Sequence, residues 1–339
     1  MSELRWNPLL RTWTMVAANR KLRPTMPKDG CPFCPGAGKQ VPDSYDVYVY
    51  DNDFPVLSLL APGGASNMKG SEGGEIYRVA EAYGKCEVIL YSPEHEAKFH
   101  ELSELHITRL LDVLSERFDT LKTDPRIKYI FPFENKGAEV GVTMPHPHGQ
   151  LYAYPFVPLK IRTELEACRE HYEETGRCLF EDIYEAERED GRRMIAETEH
   201  TVAYIPFFTD YPYGVFVMPK RQVGALSDCT SDEKRDLATV LKRVTGAFDR
   251  LFDRPFPYMA VYHQVPVNAS EYADANTYYR FHIEFYPPLR EADKIKYYAS
   301  SEMGAWAAAN TAEVEVTAEE LREKYEEISL MYCHDAEQQ

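Results

Sequence analysis

No stretch of this 339-residue chain is free of charge for long enough to cross a bilayer. Its opening residues, MSELRWNPLLRTW, carry Glu3, Arg5 and Arg11 where a secretory signal needs an apolar run. A membrane span and a secreted destination are therefore not expected. Positive charge is also scarce: 38 Lys and Arg face 55 Asp and Glu, for a formal net charge of −17. A field of that sign repels nucleic acid and anionic membrane, so any phosphate site must be a local cluster of cations. A disulfide framework is missing too, because seven cysteines is an odd number and two of them form a C-x-x-C. That usage points to a metal site or reduced thiols, and a cytoplasmic protein fits it best.

What the chain does have is material for a core, with 44% apolar residues and 24 tyrosines. It also has a repeat. An apolar run, Val88 to Leu90, leads through YSPEH to a helical stripe at Ile107, Leu110, Leu111, Leu114, Phe118 and Leu121. Val215 to Val217 leads through MPKR to Leu237, Val240, Leu241, Val244, Phe248 and Leu251, at the same intervals. Each helix precedes a proline-punctuated strand segment, PRIKYIFPFENKG or RPFPYMAVYHQVP, and each unit closes on histidine in an aromatic strand, HPHGQLYAYPF or FHIEFYPPL.

The pattern predicts an α+β fold of two duplicated halves, each a mainly antiparallel sheet with packed helices. The halves are read as residues 1–158 and 200–339, joined by a charged helical connection over 159–199 that forms surface helices. A last helix is expected from Thr317 to Tyr332, and SYDVYVYDNDF alternates as a strand that ends in a turn.

The chemistry concentrates in TMPHPHGQLYAY. In an extended strand His146 and His148 project from one face, and Pro147 stiffens the backbone between them. Gly149 would let a ligand approach the backbone, and Gln150 adds an amide able to donate to an oxyanion. Neutral imidazole, with an unperturbed pKa of roughly 6.5, is a competent nucleophile toward phosphorus, so covalent nucleotidyl transfer is within reach. The plainer alternative is two histidines in a polar turn. CPFCPG supplies Cys31 and Cys34 at a spacing that grips one zinc from a tight turn, leaving two ligands to find. A redox pair or two unengaged thiols are the alternatives.

The stretches NRKLRP, CPFC, YDNDF, SPEH, FENKGAEVGVTMPHPHGQ, ETEH, YIPF, MPK, FPYM and FYPPLR together resemble the galactose-1-phosphate uridylyltransferase family, of the histidine-triad superfamily, along nearly the whole chain. The resemblance implies a ping-pong reaction. His148 would attack the α-phosphorus of UDP-glucose, release glucose 1-phosphate and hold a uridylyl group, which galactose 1-phosphate then takes as UDP-galactose. It implies a structural zinc at Cys31, Cys34, His95 and His146, with Gln150 and Thr143 bonding the transferring phosphoryl oxygens. By the same resemblance Arg20 and Arg23 neutralise substrate phosphates, Asn52, Asp53 and Phe54 meet the nucleoside, and Asn135 meets a phosphate or ribose.

KYYASSEMG is similar to the family's hexose segment, which places Lys296, Tyr297 and Glu302 at the sugar. Ser301 stands where some members have tyrosine, and AWAAAN lacks the family's glutamine. Because that segment reaches a neighbouring subunit in the family, a homodimer with shared active sites is implied. Glu164, His263 and His282 fall on three ligands of a second metal site, for iron or zinc, whose fourth position is Glu284 instead of histidine. Two other functions remain open at this stage: a related enzyme acting on ADP-glucose or a dinucleoside polyphosphate, and a zinc-stapled nucleotide-binding module without catalysis.

Overall fold

The structure is a computed structural model that describes residues 2–17, 30–36, 41–60 and 76–337. Arg20 and Arg23 lie outside the described residues. The chain opens with a hairpin, β1 (Ser2–Asn7) and β2 (Thr12–Ala17). β3 (Tyr48–Asp51), β4 (Val79–Glu81) and β5 (Lys85–Leu90) precede α1 (Glu104–Leu121), which is followed by β6 (Tyr129–Lys136) and β7 (His148–Tyr154). The connection to the second half is α2 (Leu159–Thr175) and α3 (Leu179–Asp190). The second half contains β8 (Met194–Glu197), β9 (Thr201–Tyr204), β10 (Val215–Pro219), α4 (Ser231–Leu251), β11 (Tyr258–His263), β12 (His282–Tyr286) and α5 (Val314–Glu337).

The duplication read from the helical stripes reappears as symmetry in one nine-stranded sheet, ordered β3-β5-β7-β6-β11-β12-β10-β9-β8. From the outside inward, β3-β5-β7-β6 in the first half matches β9-β10-β12-β11 in the second. The matching strands β6 and β11 pair antiparallel at the centre, with Phe133 opposite Val261 and Glu134 opposite Ala260. Both halves therefore share one sheet. β1, β2 and β4 form a separate three-stranded sheet that the periodicity did not signal, with Arg78 stacked over Trp6.

Strand alternation gives the large sheet two apolar faces. Along β7, Leu151 and Ala153 join the core under α1 and α4, while Tyr152 and Tyr154 join the core under α2 and α3. The α1 stripe is wholly buried, as is the α4 stripe apart from the half-buried Leu251. Each such side chain contributes about 1.5–3 kcal/mol by leaving water. Local signals set the helix starts. The Ser103 hydroxyl accepts from His106 N at 3.1 Å, and Thr230 and Glu233 exchange side chain-to-backbone bonds at 3.2 and 2.7 Å.

The two halves are also clamped by charge. Lys242 on α4 donates to the carbonyls of His100 and Leu102 at 2.7 and 2.6 Å, and Lys234 meets Asp112 of α1 at 2.9 Å. The connection differs from expectation. α2 and α3 cover the sheet instead of only lying on the surface, burying Ile161, Leu165, Cys168, Phe180 and Tyr184. Its end supplies the edge strand β8. Charge density masked a narrow apolar stripe spaced by four and three residues. The last helix is longer than expected at both ends and packs on α4 at Gly246, where an added Cβ would lie 2.4 Å from Ile328.

Candidate active site and metal centre

Cys31 and Cys34 lie on a tight turn that sits over the start of β7, and His95 follows β5 in the turn before α1. The fold brings these three to His146, so that one donor atom from each lies within 4.8 Å of the others. Cys34 Sγ is 3.5 Å from His95 Nδ1 and 3.8 Å from His146 Nδ1. A tetrahedral zinc with sulfur at about 2.3 Å and nitrogen at about 2.1 Å sets a sulfur–nitrogen edge of about 3.6 Å. The donors fit such an ion.

His146 is fully buried, and its Nε2–H donates to Ser92 O at 2.8 Å, with Tyr45 Oη 2.9 Å away. That bond leaves the Nδ1 lone pair facing the cysteines, as a ligand's outer partner should. Burial lowers the His146 pKa and keeps the ring neutral, while burial raises the Cys31 thiol, a cost that a bound cation reverses.

One residue beyond Pro147, β7 begins. The Nδ1–H of His148 donates to the carbonyl of His146 at 2.8 Å, so Nε2 carries the lone pair. The Phe33 ring packs edge-on against both imidazoles, with centroids 6.0 Å from His146 and 5.5 Å from His148. Gln150 follows on the same face of β7, where its Oε1 lies 3.4 Å from the Tyr152 hydroxyl. The reason for Gly149 differs from the sequence reading. A Cβ there would stand 2.2 Å from the Tyr91 hydroxyl, so the glycine makes room for a tyrosine behind the strand and not for a ligand in front.

That tyrosine belongs to a group that sequence reasoning missed. Glu134, paired with Gly149 across the strands, receives the Tyr258 hydroxyl at 3.1 Å and interacts with that of Tyr91. Burial raises the Glu134 carboxyl to about 7, with Lys136 pulling the other way. Tyr45 was missed as well. It is one tyrosine in an alternating run, and nothing local marks it as a partner of His146.

A cavity of about 470 Å³ is lined by His148 together with Glu134, Asn135, Thr143, Lys98 and Arg254. Thr143 Oγ1 is buried there and has no hydrogen-bond partner among the described residues. Asn52 follows β3, bonds through its backbone N–H to Cys86 O, and accepts Phe54 N at 2.9 Å, which shapes the turn that exposes Asp53. β3 is two strands from β7, with Tyr50 aligned through Val88 to Gln150.

Lys296, Tyr297 and Glu302 are not among the residues lining that cavity. Lys296 is buried and donates to Ala309 O at 2.8 Å and to Asp210 O, so its ammonium ties down its own segment and does not stand free for a sugar. Glu302 accepts from Ala299 N at 3.1 Å, and Tyr297 is 73% exposed.

The second cluster is assembled as the sequence reading expected, with one ligand atom each from Glu164, His263, His282 and Glu284 within 4.8 Å of the others. His263 Nδ1 lies 3.1 Å from Glu164, and His282 Nε2 lies 3.1 Å from Glu284. Burial works against the Glu284 carboxylate, but the fields of His263 and Lys160 outweigh it and hold the pKa below the usual range. These donors could hold a metal.

Fold and site together define a duplicated α+β protein with a strand-borne histidine beside a group of four side chains able to hold a metal ion. The family description "Galactose-1-phosphate uridyl transferase, N-terminal domain" matches residues 1–158, and that of the C-terminal domain matches residues 164–338. The chain belongs to the galactose-1-phosphate uridyl transferase family. A galactose-1-phosphate uridylyltransferase of Thermotoga maritima is 40% identical over 97% of this chain and 100% of its own length. One from Rattus norvegicus is 30% identical over 94% of this chain and 86% of its own. A solved uridylyltransferase superposes with a TM-score of 0.85 at 30% identity, covering 96% of this chain and 99% of that one. An ADP-glucose phosphorylase from Arabidopsis thaliana shares the fold, with a TM-score of 0.73 at 24% identity over 95% of this chain and 99% of that one.

Replacing Cys34 by Ser is expected to release the metal of the first centre and lower Tm by about 5–10 °C, because ion binding and folding are linked there. Elemental analysis beside thermal unfolding checks this, and unchanged metal content would sink it. Glu134 gives a pH test. Its native carboxyl titrates at about 7 against an ordinary value of 4.5, so the contribution of the neutral form is complete below 4.5 and is lost as pH rises through 7. Glu134→Gln should match wild type near pH 5 and be more stable by about 1–3 kcal/mol at pH 8.5. Urea unfolding at the two pH values measures it, and an unchanged difference between them would refute the assignment.

Proposed function

We propose that the protein moves UMP from UDP-glucose to galactose 1-phosphate through a covalent uridylyl-histidine. The observation that carries this reading is the His148 tautomer. With Nδ1–H donated to His146 O, the lone pair is left on Nε2, and His148 lines a cavity able to take a nucleotide-sized ligand. His148 Nε2 attacks the α-phosphorus, the bond to the β-phosphate oxygen breaks, and glucose 1-phosphate leaves with that electron pair. The positive charge on the substituted ring is stabilised by the His146 carbonyl at Nδ1–H. A phosphate oxygen of galactose 1-phosphate then attacks the same phosphorus, the N–P bond breaks, and UDP-galactose departs.

Gln150 and the unpaired Thr143 hydroxyl donate to the transferring phosphoryl oxygens, whose charge peaks in the transition state. Arg20 and Arg23 neutralise the diphosphate, Asn135 bonds a phosphate or ribose, and Asn52, Asp53 and Phe54 hold the nucleoside. The tetrad Cys31, Cys34, His95 and His146 takes a structural zinc, which when bound fixes the loop carrying Phe33 against His148. No helix among the described residues is long and apolar enough to cross a membrane, which agrees with the soluble, cytoplasmic setting proposed for this reaction.

The working enzyme is a homodimer with shared sites. Support comes from the segment after Lys296, where Tyr297, Met303 and Trp306 are 73%, 65% and 62% exposed, a run of large apolar groups suited to a second copy of the chain. Tyr297 and Glu302 serve the opposite chain's sugar, and Lys296 holds the segment in shape.

His148→Gly should abolish the added uridylyl mass after incubation with UDP-glucose while metal content stays unchanged; a normal adduct in that variant removes His148 as nucleophile. Mixing His148→Gly with Glu302→Ala subunits should restore part of the activity, since one hybrid site has both an intact nucleophile and an intact sugar clamp. A confirmed heterodimer no more active than either parent would end the shared-site proposal.

A further inference from the structure

The second cluster stands where the first half has its nucleophile. β12 begins at His282 as β7 begins at His148, and His282 Nδ1–H donates to Arg280 O at 2.9 Å just as His148 donates two residues back. In the second half, however, α2 and α3 close over the strand. The Phe180 ring lies 4.4 Å from the His282 ring, and α2 brings in Glu164. One helical turn earlier, α2 also brings in Lys160. Its Nζ is 2.6 Å from Glu284 Oε2, 2.5 Å from Tyr286 Oη and 3.6 Å from Glu164 Oε1.

Two carboxylates are held here with little access to water, the Glu284 side chain 4% exposed and that of Glu164 19%. Such a pair needs a cation, because two like charges out of water repel strongly and lose their hydration. Two kinds of cation can neutralise the pair, a divalent metal or an ammonium. Donors for a metal are present: His282 Nε2 turns its lone pair toward the cluster, and His263 Nδ1 is buried with no aligned hydrogen bond. Yet the carboxylates already have a cation: the histidines face Glu164 Oε2 and Glu284 Oε1, while Lys160 approaches Glu284 Oε2 and Glu164 Oε1. Glu284 Oε2 takes Lys160 and the Tyr286 hydroxyl, and Glu164 Oε2 takes the Tyr279 hydroxyl at 2.7 Å.

We propose that Lys160 is an internal competitor for the second metal, its ammonium neutralising Glu164 and Glu284 through the oxygens that do not face the histidines. An entering ion meets carboxylates whose charge Lys160 has already offset, and it must accept the repulsion of a lysine one helical turn from Glu164. The cluster is therefore a weak, exchangeable cation site. The Lys160 side chain is 56% exposed, so it can swing into solvent and let an ion enter. Metal at this site is optional for the fold, because the lysine supplies the needed charge when the ion is absent. The inference rests on this cluster alone and is independent of the nucleotidyl-transfer reading.

The test is metal stoichiometry, with no activity assay. Wild-type protein as purified should hold one tightly bound metal per chain by elemental analysis. Zinc-loaded wild type, Lys160→Met and Lys160→Arg are then dialysed against buffered Co²⁺. Lys160→Met should take up a second ion with a Kd at least tenfold below that of wild type, and Lys160→Arg should stay close to wild type because it keeps the charge. Without added ion, Lys160→Met should unfold at a lower temperature, and Co²⁺ should restore it more than it shifts wild type. Two tightly held metals per wild-type chain would overturn the proposal, a result that does not depend on any variant folding. So would equal Co²⁺ affinity in wild type and Lys160→Met, or tight binding by Lys160→Arg.

Discussion

The hydrogen bond from His148 Nδ1 to the His146 carbonyl decides what the site can do. A carbonyl oxygen only accepts, so the proton must sit on Nδ1, and the nucleophilic lone pair is forced onto Nε2. The carbonyl is itself held still by its own residue's ring, which is buried, donates to Ser92 O and faces the cysteines. Rigidity therefore runs from the Cys31, Cys34, His95 and His146 group to the His148 ring in two residues of chain. A proline between the two histidines keeps that short path extended.

The second half uses the same backbone device for another end. His282 repeats the Nδ1–H bond, but its Nε2 faces Glu284 under a roof of α2 and α3. The connection between the halves thus has a cost and a benefit: it buries one potential reaction site, and it ties α2 to β12 through Lys160, Glu164 and Tyr279. Duplicated geometry with divergent covering puts two histidines with the same backbone bond at matching places in different surroundings.

Much of this could be read from the chain because it is encoded locally. The α1 and α4 stripes repeat at equal intervals, caps stand at Ser103 and Thr230, and H-P-H-G-Q and C-x-x-C carry their chemistry within a few residues. The four tetrad ligands and the second cluster followed from the family resemblance and come together in the fold. What was hidden depends on register across strands. Tyr91 explains Gly149 only because their side chains meet behind the sheet, and Glu134 matters because it lies opposite Gly149. Lys160 looks like one more charge in a charged helix until β12 is laid beside it. Lys296 is a related case, since its clamp on two carbonyls shows only when the segments that carry them are brought beside it.

The central pairing of β6 with β11 has a consequence for how the molecule is made. During synthesis the strand that carries His148 emerges early, yet the strand that seals its sheet, Tyr258–His263, leaves the ribosome only after the connection and the second half as far as α4. Until then β6 is an open edge with unpaired backbone groups on a nascent chain. Such a late, sequence-distant closure makes folding slow and leaves the growing chain exposed to edge-to-edge association, a hazard that chaperones meet in other proteins of high contact order.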